Sequence, residues 1–173
     1  MKRLQILIIV MVGLLATATV ARADQIRALL TGYEETPAAV STTGGGEFVA
    51  TIDADGDAIH YTETFSGLQG TVTQSHIHVG QLSITGSIVI FLCQTSTNPD
   101  PTGLAPQCPQ EGTVTGDITA ANVIAGATAT QQLEAGDLAA VITAIRAGAA
   151  YANVHTNLSP GGEIRGQIRT ASK

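Results

Sequence analysis

The chain has 173 residues, a formal charge of −6 at pH 7, 44% hydrophobic residues and no tryptophan. This length suits one domain with a single hydrophobic core. An acidic chain without a basic stripe repels phosphate backbones, so we do not expect nucleic acid as a partner.

The first residues have the features of a secretory signal peptide. Lys2 and Arg3 precede an apolar run from Leu4 to about Ala16, and Ala21-Arg22-Ala23 is a small-residue cleavage site. The alternative, an uncleaved membrane anchor, is less favoured because polar residues interrupt a run that is short for a bilayer span.

Cleavage after Ala23 would divide the chain into a signal peptide, residues 1–23, and a single domain, residues 24–173. The cleaved chain has five basic residues against fourteen acidic ones, a formal charge of −9. We therefore expect a secreted protein, periplasmic or extracellular, with no stable membrane anchor after cleavage.

Alternating apolar and polar residues between turn signals predict an all-β fold. The clearest example is a hairpin in which Phe48, Ala50 and Ile52 alternate on one strand, with an Asp-Gly turn at 55–56 before the next. The predicted strands are 26–31, 47–53, 58–65, 72–79, 87–93, 111–118, 151–156 and 163–169.

One segment has helical spacing instead. Leu138, Val141, Ile142 and Ile145 recur every three or four residues, which predicts a short helix over about 137–146. Asp137 precedes it as a candidate N-cap.

The two cysteines, Cys93 and Cys108, are expected to form a disulfide, because both lie in the exported part of the chain. The bridge would close a Pro- and Thr-rich loop and stabilise the fold by about 3 kcal/mol. Thiolate metal ligation or a redox pair is the alternative, but the two-residue spacing typical of such sites is missing.

Three of the four histidines lie in two predicted strands. His76 and His78 share one face of the 72–79 strand, while Ile77 and Val79 share the other. In the 151–156 strand, we expect the Val154 side chain to pack in the core and the His155 side chain to point the opposite way. We therefore expect the three imidazoles to face away from the core.

The last strand adds a charged pair to this face. If strands 151–156 and 163–169 form a hairpin, His155 lies opposite Glu163 or Arg165. A carboxylate beside an imidazole is a typical outer partner of a metal ligand, so Glu163 is a candidate for that role. The plainer hypothesis is structural: Glu163 and Arg165 form a charged pair that locks the last hairpin.

Two interpretations of the histidines stay open. They are either polar side chains hydrogen-bonded on a sheet face, or, as His76, His78 and His155, three ligands of one copper or zinc ion. His60 is interpreted as an incidental surface residue. The acidic segment 53–57 is interpreted as a solvated turn, because its glycine and its twelfth position do not match a calcium loop.

Four segments, taken in order, resemble the chordin-type (CHRD) domain family. They are Leu30-Thr31-Gly32-Tyr33-Glu34-Glu35-Thr36-Pro37, His76-Ile77-His78-Val79-Gly80, residues 147–156 (AGAAYANVHT) and residues 162–168 (GEIRGQI). The resemblance spans about residues 27–169.

This resemblance implies an immunoglobulin-like or superoxide-dismutase-like antiparallel β-sandwich or barrel, and no settled molecular activity. The dismutases also place a His-x-His pair on a strand as copper ligands, although this chain has too few histidines for their two-metal site. We expect a secreted, non-catalytic binding or structural module whose partner is an unidentified protein or small ligand. A mononuclear copper or zinc protein is the alternative, and no catalytic constellation can be assigned.

Overall fold

The computed structural model describes residues 23–171, and within them the chain is mostly β-structure. The predicted signal peptide lies outside the described residues, apart from Ala23. The described part includes one α-helix, α1 (Leu138–Arg146), and nine strands. The strands are β1 (Asp24–Thr31), β2 (Gly45–Ile52), β3 (Ile59–Ser66), β4 (Val72–Val79), β5 (Ser87–Cys93), β6 (Gly112–Ile118), β7 (Ala150–Thr156), β8 (Ile164–Gln167) and β9 (Arg169–Thr170).

The strands form one antiparallel sheet in the order β5-β4-β7-β8-β1-β2-β3-β6, with β9 paired to β1. The sheet curls until its two edge strands, β5 and β6, come into contact. Near this contact the Tyr61 hydroxyl, on β3, donates a hydrogen bond to the Leu92 carbonyl, on β5, at 2.5 Å. The predicted all-β sandwich or barrel is therefore confirmed as a nearly closed barrel.

The core lies inside this barrel and follows the predicted alternation. Phe48, Ala50 and Ile52 are buried on β2, and Ile77 and Val154 are buried where β4 and β7 pair. The predicted strands match the observed ones within two residues, except for the last. That strand divides at Ile168, which is buried and whose amide bonds the Ala150 carbonyl at 2.9 Å.

The helix and the disulfide also form as predicted. The Asp137 carboxylate accepts a hydrogen bond from the Ala140 amide at 2.9 Å, which is a standard N-cap. The apolar face of α1 packs into the core. Cys93 and Cys108 are bonded, which closes a loop beside the end of β5. No helix among the described residues is long and apolar enough to cross a membrane.

The outer face of the β5-β4-β7-β8 half is also covered. Segments 32–40, 80–86 and 157–162 fold over it and bury polar side chains on a surface that would otherwise face water. The backbone at Gly86 lies so close to that of β4 that a side chain does not fit. An added Cβ would lie 2.0 Å from the Val79 carbonyl oxygen. These covering segments create the candidate site described below.

A carboxyl group lies inside the barrel. Glu63 on β3 is fully buried, and neither of its oxygens has a hydrogen-bond partner among the described residues. Burial raises the pKa of Glu63 to about 8, and nearby Ser75 lowers it only in part. The Ser75 hydroxyl donates to the Asn153 carbonyl instead, at 2.9 Å. Glu63 is therefore protonated in the folded protein at neutral pH.

The buried carboxyl predicts a pH-dependent loss of stability. Its folded pKa of about 8 lies above the ordinary value of 4.5. The contribution of the protonated Glu63 carboxyl to stability is therefore complete below pH 4.5, the pKa in the unfolded chain. It is lost as the pH rises to about 8, the pKa in the folded protein. Between those values the free energy of unfolding should fall by up to about 1.4 kcal/mol per pH unit.

Chemical unfolding of wild type and Glu63→Gln at several pH values measures this effect. The variant should gain stability relative to wild type as pH rises from 4.5 to 8, whereas Glu47→Gln, at an exposed position of β2, should not. A Glu63→Gln difference that is the same at every pH would contradict the assignment.

Candidate functional site

Strand pairing gathers polar and aromatic side chains onto the outer face of β4, β7 and β8. His76 pairs with Asn153 and His78 with Tyr151 across β4 and β7, and Asn153 pairs with Arg165 across β7 and β8. Since alternate residues of a strand share a face, these side chains and His155 form one layer opposite the core.

The three predicted histidines converge in this layer. Each of His76, His78 and His155 offers a ring nitrogen, and the three nitrogens lie within 4.8 Å of one another. His76 Nδ1 and His155 Nε2 lie 3.2 Å apart. The structure thus brings together residues that are almost eighty positions apart in the chain.

The expectation that these histidines face outward is wrong in one respect. They do point away from the core, but only 0%, 5% and 5% of His76, His78 and His155 is exposed. The covering segments exclude water from them, and Phe91 on β5 packs its ring 4.3 Å from that of His76. Alternation predicts which face a side chain takes, but not whether a loop covers that face.

Backbone carbonyls determine which nitrogen carries the proton on two of the rings. His78 Nδ1 donates to the Gly86 carbonyl at 3.0 Å, and His155 Nδ1 donates to the Pro160 carbonyl at 2.9 Å. The Nε2 atoms of both neutral rings are therefore acceptors, and that of His155 can accept a hydrogen bond from His76 Nδ1, 3.2 Å away. Nε2 of His76 and Nε2 of His78 are buried with no hydrogen-bond partner among the described residues.

The site favours neutral imidazoles. Burial, with smaller contributions from the neighbouring histidines, lowers the pKa of His76 to about 2. Burial also lowers the pKa of His78, to about 4, and that of His155. All three rings are consequently uncharged near neutral pH, the form in which imidazole binds a metal ion.

Arg165 fastens the covering segments to the sheet. Its guanidinium carbon lies 3.5 Å from the centre of the Tyr151 ring, and that ring stacks on His78 at 4.6 Å. The guanidinium donates to Thr36 Oγ1 at 2.7 Å and to the Ile84 carbonyl at 3.0 Å. One buried cation therefore holds two loops over the histidines.

Glu163 does not contact His155 as predicted. Its carboxylate accepts hydrogen bonds from the hydroxyls of Thr42 and Thr156 at 2.6 and 2.7 Å, and from two backbone amides of the segment before β4. These bonds lower its pKa against the opposing effect of burial. The carboxylate lies at the β7–β8 corner, where strand register alone does not specify the direction of a side chain at the strand end.

The expected charged pair between Glu163 and Arg165 is not formed either. Among the residues that the structure describes, ion pairs involve only His60 with Asp53 and Asp117, and Arg146 with Asp24. Glu163 and Arg165 instead secure different loops. His60 itself is exposed, as expected.

Two neighbours of the cluster, Asn153 and Glu35, were not predicted from the sequence to belong to the site. Asn153 Oδ1 lies 3.0 Å from His155 Nε2, and alternation along β7 could have placed Asn153 beside the histidines. Glu35, 6% exposed, comes from a covering segment. No periodic pattern predicts where a residue outside the strands packs.

The acidic turn forms a separate group of side chains. Carboxylate oxygens of Asp53, Asp55 and Asp57 lie within 4.8 Å of one another, but none of the three residues is buried. Their interpretation as a solvated turn stays a prediction.

Arg165 generates a stability prediction. Arg165→Ala should lower the free energy of unfolding by about 3 kcal/mol, because it removes charge-assisted hydrogen bonds and buried packing together. Thermal and chemical unfolding measure the loss. Arg27→Ala, at an exposed position of β1, should change stability by less than about 0.5 kcal/mol. An Arg165→Ala effect no larger than the Arg27→Ala effect would contradict the anchoring role.

Comparison with known proteins agrees with this architecture. Neither a curated protein nor a solved structure gives a significant match to the chain. A family model described as the CHRD domain matches residues 26–168, which include every strand from β2 to β8 and both histidine segments. The chain belongs to the CHRD domain family.

Proposed function

We propose that this chain is an exported, non-catalytic binding module. Its CHRD domain is consistent with a binding or structural role, and the Cys93–Cys108 bridge suits an oxidising compartment. The predicted signal peptide supplies the route of export. Because the covered layer of histidines is the most concentrated group of binding side chains described, it is the natural place for a ligand.

Export can be tested by the intact mass of the protein recovered outside the cytoplasm. The mass should match residues 24–173 less the two hydrogens lost in the disulfide, because cleavage is expected after Ala23. Full reduction should restore those two hydrogens. Recovery of an uncleaved chain in the membrane fraction would contradict export as a cleaved protein.

The ligand best suited to this layer is a single copper or zinc ion. The observation that carries this proposal is the convergence of three buried, neutral imidazoles within 4.8 Å. Two ligands of a tetrahedral zinc ion, each about 2.0–2.1 Å from the metal, lie about 3.3 Å apart. The 3.2 Å between His76 Nδ1 and His155 Nε2 is close to that spacing.

A purely hydrogen-bonded layer explains the site less well. Leaving a buried polar atom without a partner costs about 1–3 kcal/mol, and native structures keep such atoms rare. Here Nε2 of His78 is in that condition, and it is the nitrogen of that ring left to bind an ion, because Nδ1 donates to the Gly86 carbonyl. A metal ion would provide a partner for this lone pair. The two backbone carbonyls that orient His78 and His155 resemble the outer partners that usually fix metal-bound imidazoles.

Metal content after titration with copper and with zinc tests the proposal. The purified mature protein should retain one ion per chain after gel filtration, and His76→Ala should abolish that retention. His60→Ala is the matched control, because it removes the exposed histidine and leaves the buried cluster intact.

Two results would overturn the metal site. One is a wild-type protein that retains neither metal. The other is a loss of retention in His60→Ala equal to that in His76→Ala. Circular dichroism of each metal-free variant shows whether the fold is preserved.

A further inference from the structure

Three histidines leave one position of a four-coordinate ion unassigned, and Asn153 lies beside that position. Its side chain lies in the same buried layer, directly across from His76 on the paired strand. Asn153 is 2% exposed, so its amide is almost fully shielded from bulk water. The identity of the fourth ligand decides whether such a site is closed or open, because catalytic zinc sites keep a water there and structural sites do not.

Two hydrogen-bond acceptors face each other at this point. Asn153 Oδ1 lies 3.0 Å from His155 Nε2. The single proton of the neutral His155 ring is on Nδ1, where the Pro160 carbonyl accepts it at 2.9 Å. Nε2 and the amide oxygen therefore face each other with lone pairs and no proton between them.

The other side of the amide supports this orientation. Nδ2 of Asn153 and the carboxyl group of Glu35 both lie next to Gly162, on the side where a Cβ would be. A Cβ built on Gly162 would lie 2.7 Å from the amide nitrogen and 2.3 Å from Glu35 Oε1. Since the NH₂ group lies on the side of the carboxyl group, the amide oxygen is directed at the histidines.

We propose that Asn153 is the fourth ligand, with Oδ1 binding the same ion as His76, His78 and His155. A cation between Oδ1 and His155 Nε2 converts a repulsive pair of acceptors into two ligands of one ion. Their 3.0 Å separation is a few tenths of an ångström shorter than the spacing of about 3.4 Å between two ligands about 2.0–2.2 Å from a tetrahedral ion, so a small movement of the amide would let both bind. This inference rests on the proposed metal site. It gives that site four protein ligands, so that no coordination position is left for water.

The closed site has a chemical consequence. Four protein ligands on a buried ion leave no position for water or substrate, so the ion would act in structure or as bound cargo and not as a Lewis acid. This agrees with a non-catalytic module. A site with three histidines and water would instead resemble a catalytic zinc centre.

Zinc affinity, measured by competition with a chromophoric chelator, tests the proposal on the full mature protein. Asn153→Ala should weaken zinc binding by about 10- to 100-fold. Asn153→Asp keeps an oxygen at the same position and adds a negative charge, so zinc should bind at least as tightly as in wild type. Gln167→Ala is the control, because it removes another amide of the same layer, one that donates to the Gly80 and Gly148 carbonyls. Its zinc affinity should be unchanged.

The result for Asn153→Asp separates ligation from an ordinary hydrogen bond. If the amide NH₂ instead donates to His155 Nε2, a carboxylate at this position would weaken binding as much as alanine does, and the proposal fails. Wild-type affinity in Asn153→Ala also overturns it, while the three-histidine site stands. A wild-type protein that binds no zinc or copper overturns the proposed metal site and this inference together.

A crystal structure of the zinc-loaded wild type gives a measurement that does not depend on how the variants fold. An Oδ1–zinc distance of about 2.0–2.2 Å would confirm ligation. A water molecule in the fourth position would refute it.

Discussion

Antiparallel pairing of β4 with β7 places His76 opposite Asn153 and His78 opposite Tyr151, and the candidate site depends on that register. A slip of one residue would turn Ile77 and Val154 outward and bring imidazoles into the hydrophobic core. The buried apolar residues on one face therefore specify the position of the polar residues on the other. Core packing and the geometry of the histidine cluster are two results of the same strand alignment.

The outer layer is stabilised by polar contacts where the inner one is stabilised by apolar burial. Arg165 holds two covering segments against Tyr151, and the Gly86 carbonyl both covers and orients His78. These contacts exclude water, which lowers the pKa values of the histidines and keeps the rings neutral. The fold therefore keeps the three imidazoles neutral, which is the form that binds a soft or borderline metal ion.

A CHRD domain with this layer combines a general scaffold with a specific cluster. The barrel would close without the histidines, because its core residues lie on the opposite face. The cluster leaves buried ring nitrogens unpaired and opposes two acceptors at Asn153 and His155, which is costly in a protein that binds nothing there. The cation that we propose would give the unpaired Nε2 of His78 and the two facing acceptors a common partner.

Sequence periodicity by itself determined the strands, the α-helix with its Asp137 cap, and the face on which His76, His78 and His155 lie, because these follow from neighbours in the chain. The cysteine pair followed from the number of cysteines and the predicted export. Only the tertiary structure decided that this face is buried, that Glu163 bonds Thr42 and Thr156 instead of His155, and that Asn153 lies beside the imidazoles. Those features depend on loops from distant parts of the chain. Loops have no period, so their packing follows from three-dimensional contacts that no local pattern encodes.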